Sequence, residues 1–148
     1  MTGRARTVLL ADADPATVSA VRVALAGEGR TVLTAADAHQ ALSTLGAQRV
    51  DVLVGELVLP GDSGLSLLVE ARRLHPAVAR IVLTAVEDFA AAVAAINEAE
   101  VSRFLRKPVD PAALRLAVDE AATRADAARE THGAWEAAER RRVALVDL

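Results

Sequence analysis

The chain has no cysteine, which excludes a disulfide framework, a thiolate metal site and a cysteine nucleophile. Aromatic residues are only 2% of its 148 residues, so any core must be built from Val, Leu, Ile and Ala. No apolar run is long enough to span a bilayer and no basic-then-apolar leader opens the chain, so the expectation is a cytoplasmic protein with no membrane contact. A net charge of −3 gives no general attraction to nucleic acid, and direct contact with it is not expected. There is no P-loop and no Ser-His-Asp set, so an enzyme is not expected either. His39, His75 and His132 sit on three separate segments without ligand spacing. Lysine is nearly missing too: Lys107 stands alone against sixteen arginines. Either it survives by chance, or its position needs a compact ammonium on a flexible stem, which a planar guanidinium does not supply.

What is present is 53% hydrophobic and alternates in type. Residues 7–11 (TVLLA), 31–34, 52–54 (VLV), 80–84 (RIVLT) and 104–105 are short, partly β-branched apolar runs that predict buried strands. Helical patterns follow each of them. Asp14-Pro15 and Asp110-Pro111 are helix starts, the Asp capping free N–H groups and the Pro lacking one. Gly27 and Gly29 stop the first helix. The second is expected over 37–45, ending at Gly46. The third runs over 64–74 and ends at His75-Pro76. The fourth spans 88–98, with Val93 and Ile96 at its apolar positions. Gly61 and Gly64 are expected to serve turns.

Strand and helix alternating five times predict a doubly wound α/β domain, with a parallel sheet, helices on both faces and right-handed crossovers. Ligands of such sheets gather beyond the carboxyl ends of the strands. Asp12, Glu56, Thr84 and Lys107 all lie at or just after those ends, so the fold predicts that they share one pocket. Alone, Glu56 could equally be a strand-end acid meeting water.

Over residues 5–121 the chain resembles the receiver domain of bacterial two-component response regulators. LLADADP is similar to the family's first strand and acidic pair, and DVLVGELVLPGDSGLSLL to the strand and loop carrying its phosphoacceptor aspartate. RIVLTA supplies the switch hydroxyl at Thr84, and FLRKP the lysine at Lys107. The segment AINEAEVSRFLRKPVDPAALRLAV resembles receivers joined to cyclic-dinucleotide phosphodiesterase or related outputs. The resemblance implies a CheY-like, flavodoxin-like (βα)5 sandwich with sheet order 2-1-3-4-5 and an extended C-terminal helix. It implies Mg²⁺ held by the acids, phosphate received from a sensor histidine kinase, and Thr and Lys contacting the phosphoryl oxygens. It also implies a rotating aromatic at Phe104, for which core packing is an equally good account, a cis bond at Lys107-Pro108, and a protein partner or output domain.

Two positions depart from the pattern. Ala13 falls where a metal-ligand carboxylate is expected, leaving Asp12 and Glu56 as metal acids; Asp14 could lean in, but its capping role competes. Mg²⁺ demands near-octahedral oxygen ligation, so its binding is expected to be weak or absent. Glu56 falls at the phosphoacceptor position, one methylene too long, which moves its oxygens by about 1.5 Å. Misplacement on that scale costs phosphoryl transfer about 10²-fold. The longer acid instead places a permanent charge partway toward the phosphoryl site, in reach of Lys107 and Thr84. At ~4 Å and an effective dielectric near 20 that attraction is about 4 kcal/mol before desolvation. The pocket is then either active-like or inert.

The expectation is an atypical receiver in residues 1–121, independent of phosphorylation and acting by protein contact or dimerisation. The alternative is a phosphorelay receiver using Glu56. Residues 122–148 read as a helical extension, rich in Ala, Glu and Arg and broken mildly by Gly133. A 3-4 stripe runs through Leu114, Val118, Ala121, Ala125, Ala128, His132, Trp135 and Val146. A homodimer is expected through the last strand and helices or this extension, with Trp135 wanting burial. The chain is either a stand-alone receiver or part of a longer one.

Overall fold

The computed structural model describes residues 5–27 and 29–146, with the side chains at 62, 89, 134–137, 139 and 141–146 outside that description. Trp135, expected to seek burial, is therefore outside the described side chains. Five strands form one parallel sheet: β1 (Arg6–Ala11), β2 (Arg30–Ala35), β3 (Val52–Gly55), β6 (Ala79–Thr84) and β7 (Arg103–Arg106). Between β3 and β6 lie the two-residue strands β4 (Val58–Leu59) and β5 (Asp62–Ser63). The sheet order is β2-β1-β3-β6-β7, which is 2-1-3-4-5 when the five long strands are counted.

The central strands β1, β3 and β6 are covered on both sides, and successive side chains enter different cores. Leu9, Leu53 and Val82 pack beneath α2 (Ala38–Ala47), α3 (Gly64–Leu74) and α4 (Phe89–Glu98). Leu10, Val54, Ile81 and Leu83 pack beneath α1 (Pro15–Ala24) and α5 (Pro111–Val146). The helices begin where the sequence puts capping acids. Asp14 accepts from Ala16 N–H, Asp37 from Gln40 N–H and Asp88 from Ala90 N–H. Asp110 accepts from Ala112 N–H.

Three expectations need correction. Residues 58–63, read as plain loop, form the antiparallel β4–β5 hairpin; Gly61 turns it at φ +76°. Gly46 does not end α2, which continues to Ala47, so its helical hydrogen bonds outweigh one flexible residue. The apolar face of α4 is also not the expected one. Ala95 and Ala99 are buried, while Val93 and Ile96 are 38% and 50% exposed. Small side chains let α4 sit close to its neighbours and turn its larger residues outward.

The helix α5 is continuous through Gly133 and spans 36 residues. A boundary at residue 121 falls inside it, because Ala121, Ala122 and Ala125 are all buried. Its docking ends in a charge cluster at the amino-terminal edge of the sheet. Asp51 is fully buried and accepts from Thr7 N–H at 2.8 Å and from Arg129 Nη1 at 2.8 Å. Arg129 Nη2 donates to Val50 O at 2.6 Å, and Arg6 pairs with Asp126. The long 3-4 stripe is thus divided: Leu114, Val118, Ala121 and Ala125 face the domain's own core, while Ala128 and His132 are exposed.

Candidate functional site at the carboxyl edge of the sheet

Strand register assembles the pocket. Ala11 of β1 lies opposite Gly55 of β3, so the next residues, Asp12 and Glu56, emerge side by side. Thr84 ends β6 opposite Arg106 of β7, which brings Lys107 to the same edge. Four residues separated by up to 95 positions in sequence therefore meet without any loop having to reach. The tight turn beneath them depends on Gly64, whose N–H bonds Leu57 O at 2.9 Å. A Cβ there would lie 1.8 Å from Glu56 O, so Gly64 is required by close backbone approach.

Lys107 Nζ lies 2.8 Å from Asp12 Oδ2 and 2.8 Å from Glu56 Oε2. Glu56 Oε1 accepts from the Thr84 hydroxyl and from Val58 N–H at 3.2 Å. Asp12 Oδ1 accepts from Asp14 N–H at 2.8 Å, and the ammonium is the only partner of Asp12 Oδ2 among the described residues. Asp12, Glu56 and Thr84 are buried. Burial alone would push the Glu56 carboxyl up, but bonds from Lys107, Thr84 and Val58 hold it below its ordinary value. For Lys107, burial works against the charge, and the contacts with Asp12 and Glu56 overcome it and raise its pKa. Both groups are ionised at neutral pH.

The cavity above these groups has a volume of about 680 Å³, with Val58, Pro60 and Val86 among its apolar walls. One side is held by the β6–α4 connection. Thr84 Oγ1 accepts from Val86 N–H at 3.1 Å, Lys107 N–H donates to Thr84 O at 2.9 Å, and Arg106 pairs with Glu87. Phe104 is half-buried against the core under α2, α3 and α4, and the Lys107-Pro108 bond is cis.

Asp14 lines the mouth of the cavity but spends its oxygens on its own helix. Its Oδ1 accepts from Ala16 N–H at 3.1 Å and its Oδ2 from the Thr17 hydroxyl at 2.9 Å; these bonds, led by that from Thr17, lower its pKa. Few side-chain oxygens stand free for Mg²⁺. The Ala13 side chain carries no oxygen, Asp14 is engaged by its own helix, and one oxygen each of Asp12 and Glu56 already faces Lys107. Among the described residues no three His, Cys, Asp or Glu side chains are grouped to hold a metal ion. Sequence reasoning did not find Asp51, Arg129 or Arg80 as structural anchors, because their partners are set by tertiary packing. The nearest signal was a charged residue immediately before a buried run, at Asp51.

An open parallel sheet with an acid, a hydroxyl and an ammonium meeting beyond its strand ends defines a CheY-like α/β signalling domain. The model of the response regulator receiver domain matches residues 8–119, and the chain belongs to that family. It is 35% identical over 114 residues to the transcriptional regulatory protein GlrR of Escherichia coli, covering 77% of this chain and 26% of GlrR. It is 37% identical over 87 residues to the DNA-binding transcriptional regulator NtrC of Salmonella typhimurium, covering 59% of this chain and 18% of NtrC. The chain thus spans about a quarter or less of these curated relatives. Among solved structures it is similar to the signal receiver domain of an HD domain-containing protein from Pseudomonas fluorescens Pf-5. That likeness has a TM-score of 0.83 at 32% identity and covers 88% of this chain and 96% of that one. No described helix is long and apolar enough to cross a membrane.

Proposed function

We propose that this receiver domain works without phosphorylation and without a divalent cation, its own Glu56 holding the pocket in a switched state. One observation carries the reading: the Glu56 carboxylate is bonded at once by the Thr84 hydroxyl and the Lys107 ammonium. These are the two groups that, by the family resemblance, contact the phosphoryl oxygens. With Thr84 fully buried and drawn inward, and Phe104 packed toward the core, the pocket is arranged around an anion that is part of the chain. A carboxylate has one charge and two oxygens where a phosphoryl group has nearly two charges and three oxygens. It therefore biases the switch less than phosphate would, yet on the few-kcal/mol scale that moves a two-state equilibrium.

The same features disfavour transfer to Glu56. Both its oxygens are engaged, and Asp12, Asp14 and Glu56 set three carboxylates against one ammonium around the cavity. Without a metal that balance repels an incoming phosphoryl donor. The domain then acts by protein contact, on an output domain or separate partner in the cytoplasm. The exposed Val93 and Ile96 of α4, β7 and the outer face of α5 with Leu116, 58% exposed, are the surface we assign to that partner or to a second copy.

The test is incubation with acetyl phosphate or phosphoramidate and Mg²⁺, read by intact-mass measurement. No added phosphoryl mass is expected. A mass gain that disappears in Glu56→Gln would replace this reading with phosphorelay through Glu56, from a sensor histidine kinase.

A further inference from the structure

The amino-terminal edge of the sheet, far from Glu56, carries a second cavity of about 380 Å³. Its walls come from the start of β6, the α4–β7 connection and the docked half of α5. That volume lies within the range of small-ligand sites. Among its lining residues is Arg80, which as a whole residue is only 7% exposed.

A buried charge needs either an opposite charge or a full set of hydrogen bonds. Arg80 Nε donates to Ala99 O at 2.7 Å, and Nη1 to Val78 O at 2.5 Å and Pro76 O at 3.5 Å. These are neutral carbonyls, three in number: Ala99 O at the C-terminal end of α4, and Val78 O and Pro76 O in the α3–β6 connection. Nη2 has no hydrogen-bond partner, and Arg80 no ion pair, among the described residues. Burial holds this guanidinium below its usual range, Glu100 opposing the effect and Arg72 adding to it.

The rest of the lining adds positive charge. Arg124 of α5 brings a second guanidinium, and Ser102 a hydroxyl that donates to Arg80 O at 3.2 Å. The one acid in the lining, Glu100, already bonds Arg72 Nη2 at 2.8 Å. Two arginines thus face a cavity whose only carboxylate is neutralised by a third.

We propose that this cavity binds a small oxyanion, a carboxylate or a phosphate, between Arg80 Nη2 and the Arg124 guanidinium, and that its occupancy fastens the α4–β7 connection to α5. Charge-assisted bonds from a guanidinium edge are the usual means of holding such groups. Arg80 lies at the start of β6 and Thr84 at its end, so a ligand here would stiffen the strand that carries the switch hydroxyl.

The experiment is amide NMR of the full chain, titrated with inorganic phosphate in one arm and acetate in the other at matched ionic strength. Saturable shifts are expected at residues 78–80, 100–102 and 124–128, and the arm that saturates at lower concentration identifies the oxyanion class. Arg124 is exposed, so Arg124→Ala leaves the fold intact and should weaken binding by about tenfold or more. Arg80→Met should abolish binding, with Arg124→Ala deciding the matter should that variant fail to fold. Shifts that do not saturate, that persist unchanged in Arg124→Ala, or that centre on Lys107 would overturn the proposal, as would no shift in either arm.

Discussion

Glu56 is a carboxylate that burial disfavours and three donors rescue, and the balance between them has a definite pH signature. Folding lowers its pKa below the ordinary value of 4.5, so its contribution to stability is complete above 4.5 and is lost as pH falls through the folded value. Lys107 has the opposite sign. Its pKa is raised above 10.5, so its contribution is complete below 10.5 and is lost as pH rises through the folded value. Between these limits Glu56 and Lys107 are both charged. Glu56→Gln keeps a bond to Thr84 but removes the charge facing Lys107. We therefore expect the urea midpoint of the native chain to fall more steeply below pH 4.5 than that of Glu56→Gln, measured side by side from pH 6 to pH 3. Parallel curves would mean that the carboxylate is not held as described. The convergence of Asp12, Glu56, Thr84 and Lys107 was legible in the sequence because each ends a strand of one parallel sheet. The engagement of Asp14 by α1 was legible as competition between two roles, and the Thr17 hydroxyl is what decides it. Asp51 was not legible. An acid before an apolar run reads as solvated, and its partner Arg129 lies 78 residues away, a pairing that only tertiary packing creates.

Elements in this fold are joined by contacts of unequal worth. The turn between β3 and α3 tolerates no Cβ at Gly64, since the nearest atoms are backbone and cannot swing aside. Gly64→Ala is expected to cost about 3 kcal/mol or more, read from chemical denaturation; a loss under about 1 kcal/mol would mean the turn has room. At the other edge, α5 is tied to the sheet through Arg129 and the buried Asp51. Arg129→Ala removes a charge-assisted bond to the buried Asp51 and one to Val50 O, with Arg49 Nε staying 3.8 Å from the Asp51 carboxylate, and should cost about 2 kcal/mol. Arg103→Ala, which breaks an exposed pair with Glu120, should cost under about 1 kcal/mol. Equal losses in the two variants would show that the amino-edge cluster anchors nothing. Sequence patterns fixed the type and order of these elements well, because Asp-Pro starts and β-branched runs act locally. They failed on α4, whose stretch FAAAVAAINE is so rich in alanine that two faces fit the helical period. The choice between them is made by how closely the helix approaches its neighbours. They failed on β4 and β5 because strands of two residues carry no period at all.

Taken as a whole, the molecule has two fastened edges and a sheet between them. At the carboxyl edge, Glu56, Thr84 and Lys107 hold the β6–α4 connection, with Arg106 and Glu87 bracing it from outside. At the amino edge, Arg129 holds α5, while Arg72 and Arg80 bond the last carbonyls of α4, Glu98 O at 3.0 Å and Ala99 O at 2.7 Å. The helix α4 is therefore tied at both ends, whereas α5 is tied chiefly through its apolar face and the Arg129 cluster. If Glu56 is the group that keeps the switch set, its removal should free one edge only. Hydrogen exchange measures this directly, because local opening is reported segment by segment. In Glu56→Gln, faster exchange is expected over residues 84–91 and 106–109, with 121–130 unchanged. Acceleration throughout the chain would instead indicate loss of global stability, and no acceleration near Thr84 would indicate an inert pocket in which Glu56 merely neutralises Lys107. Only the localised pattern couples the strand-edge carboxylate to the surface of α4 on which Val93 and Ile96 are displayed.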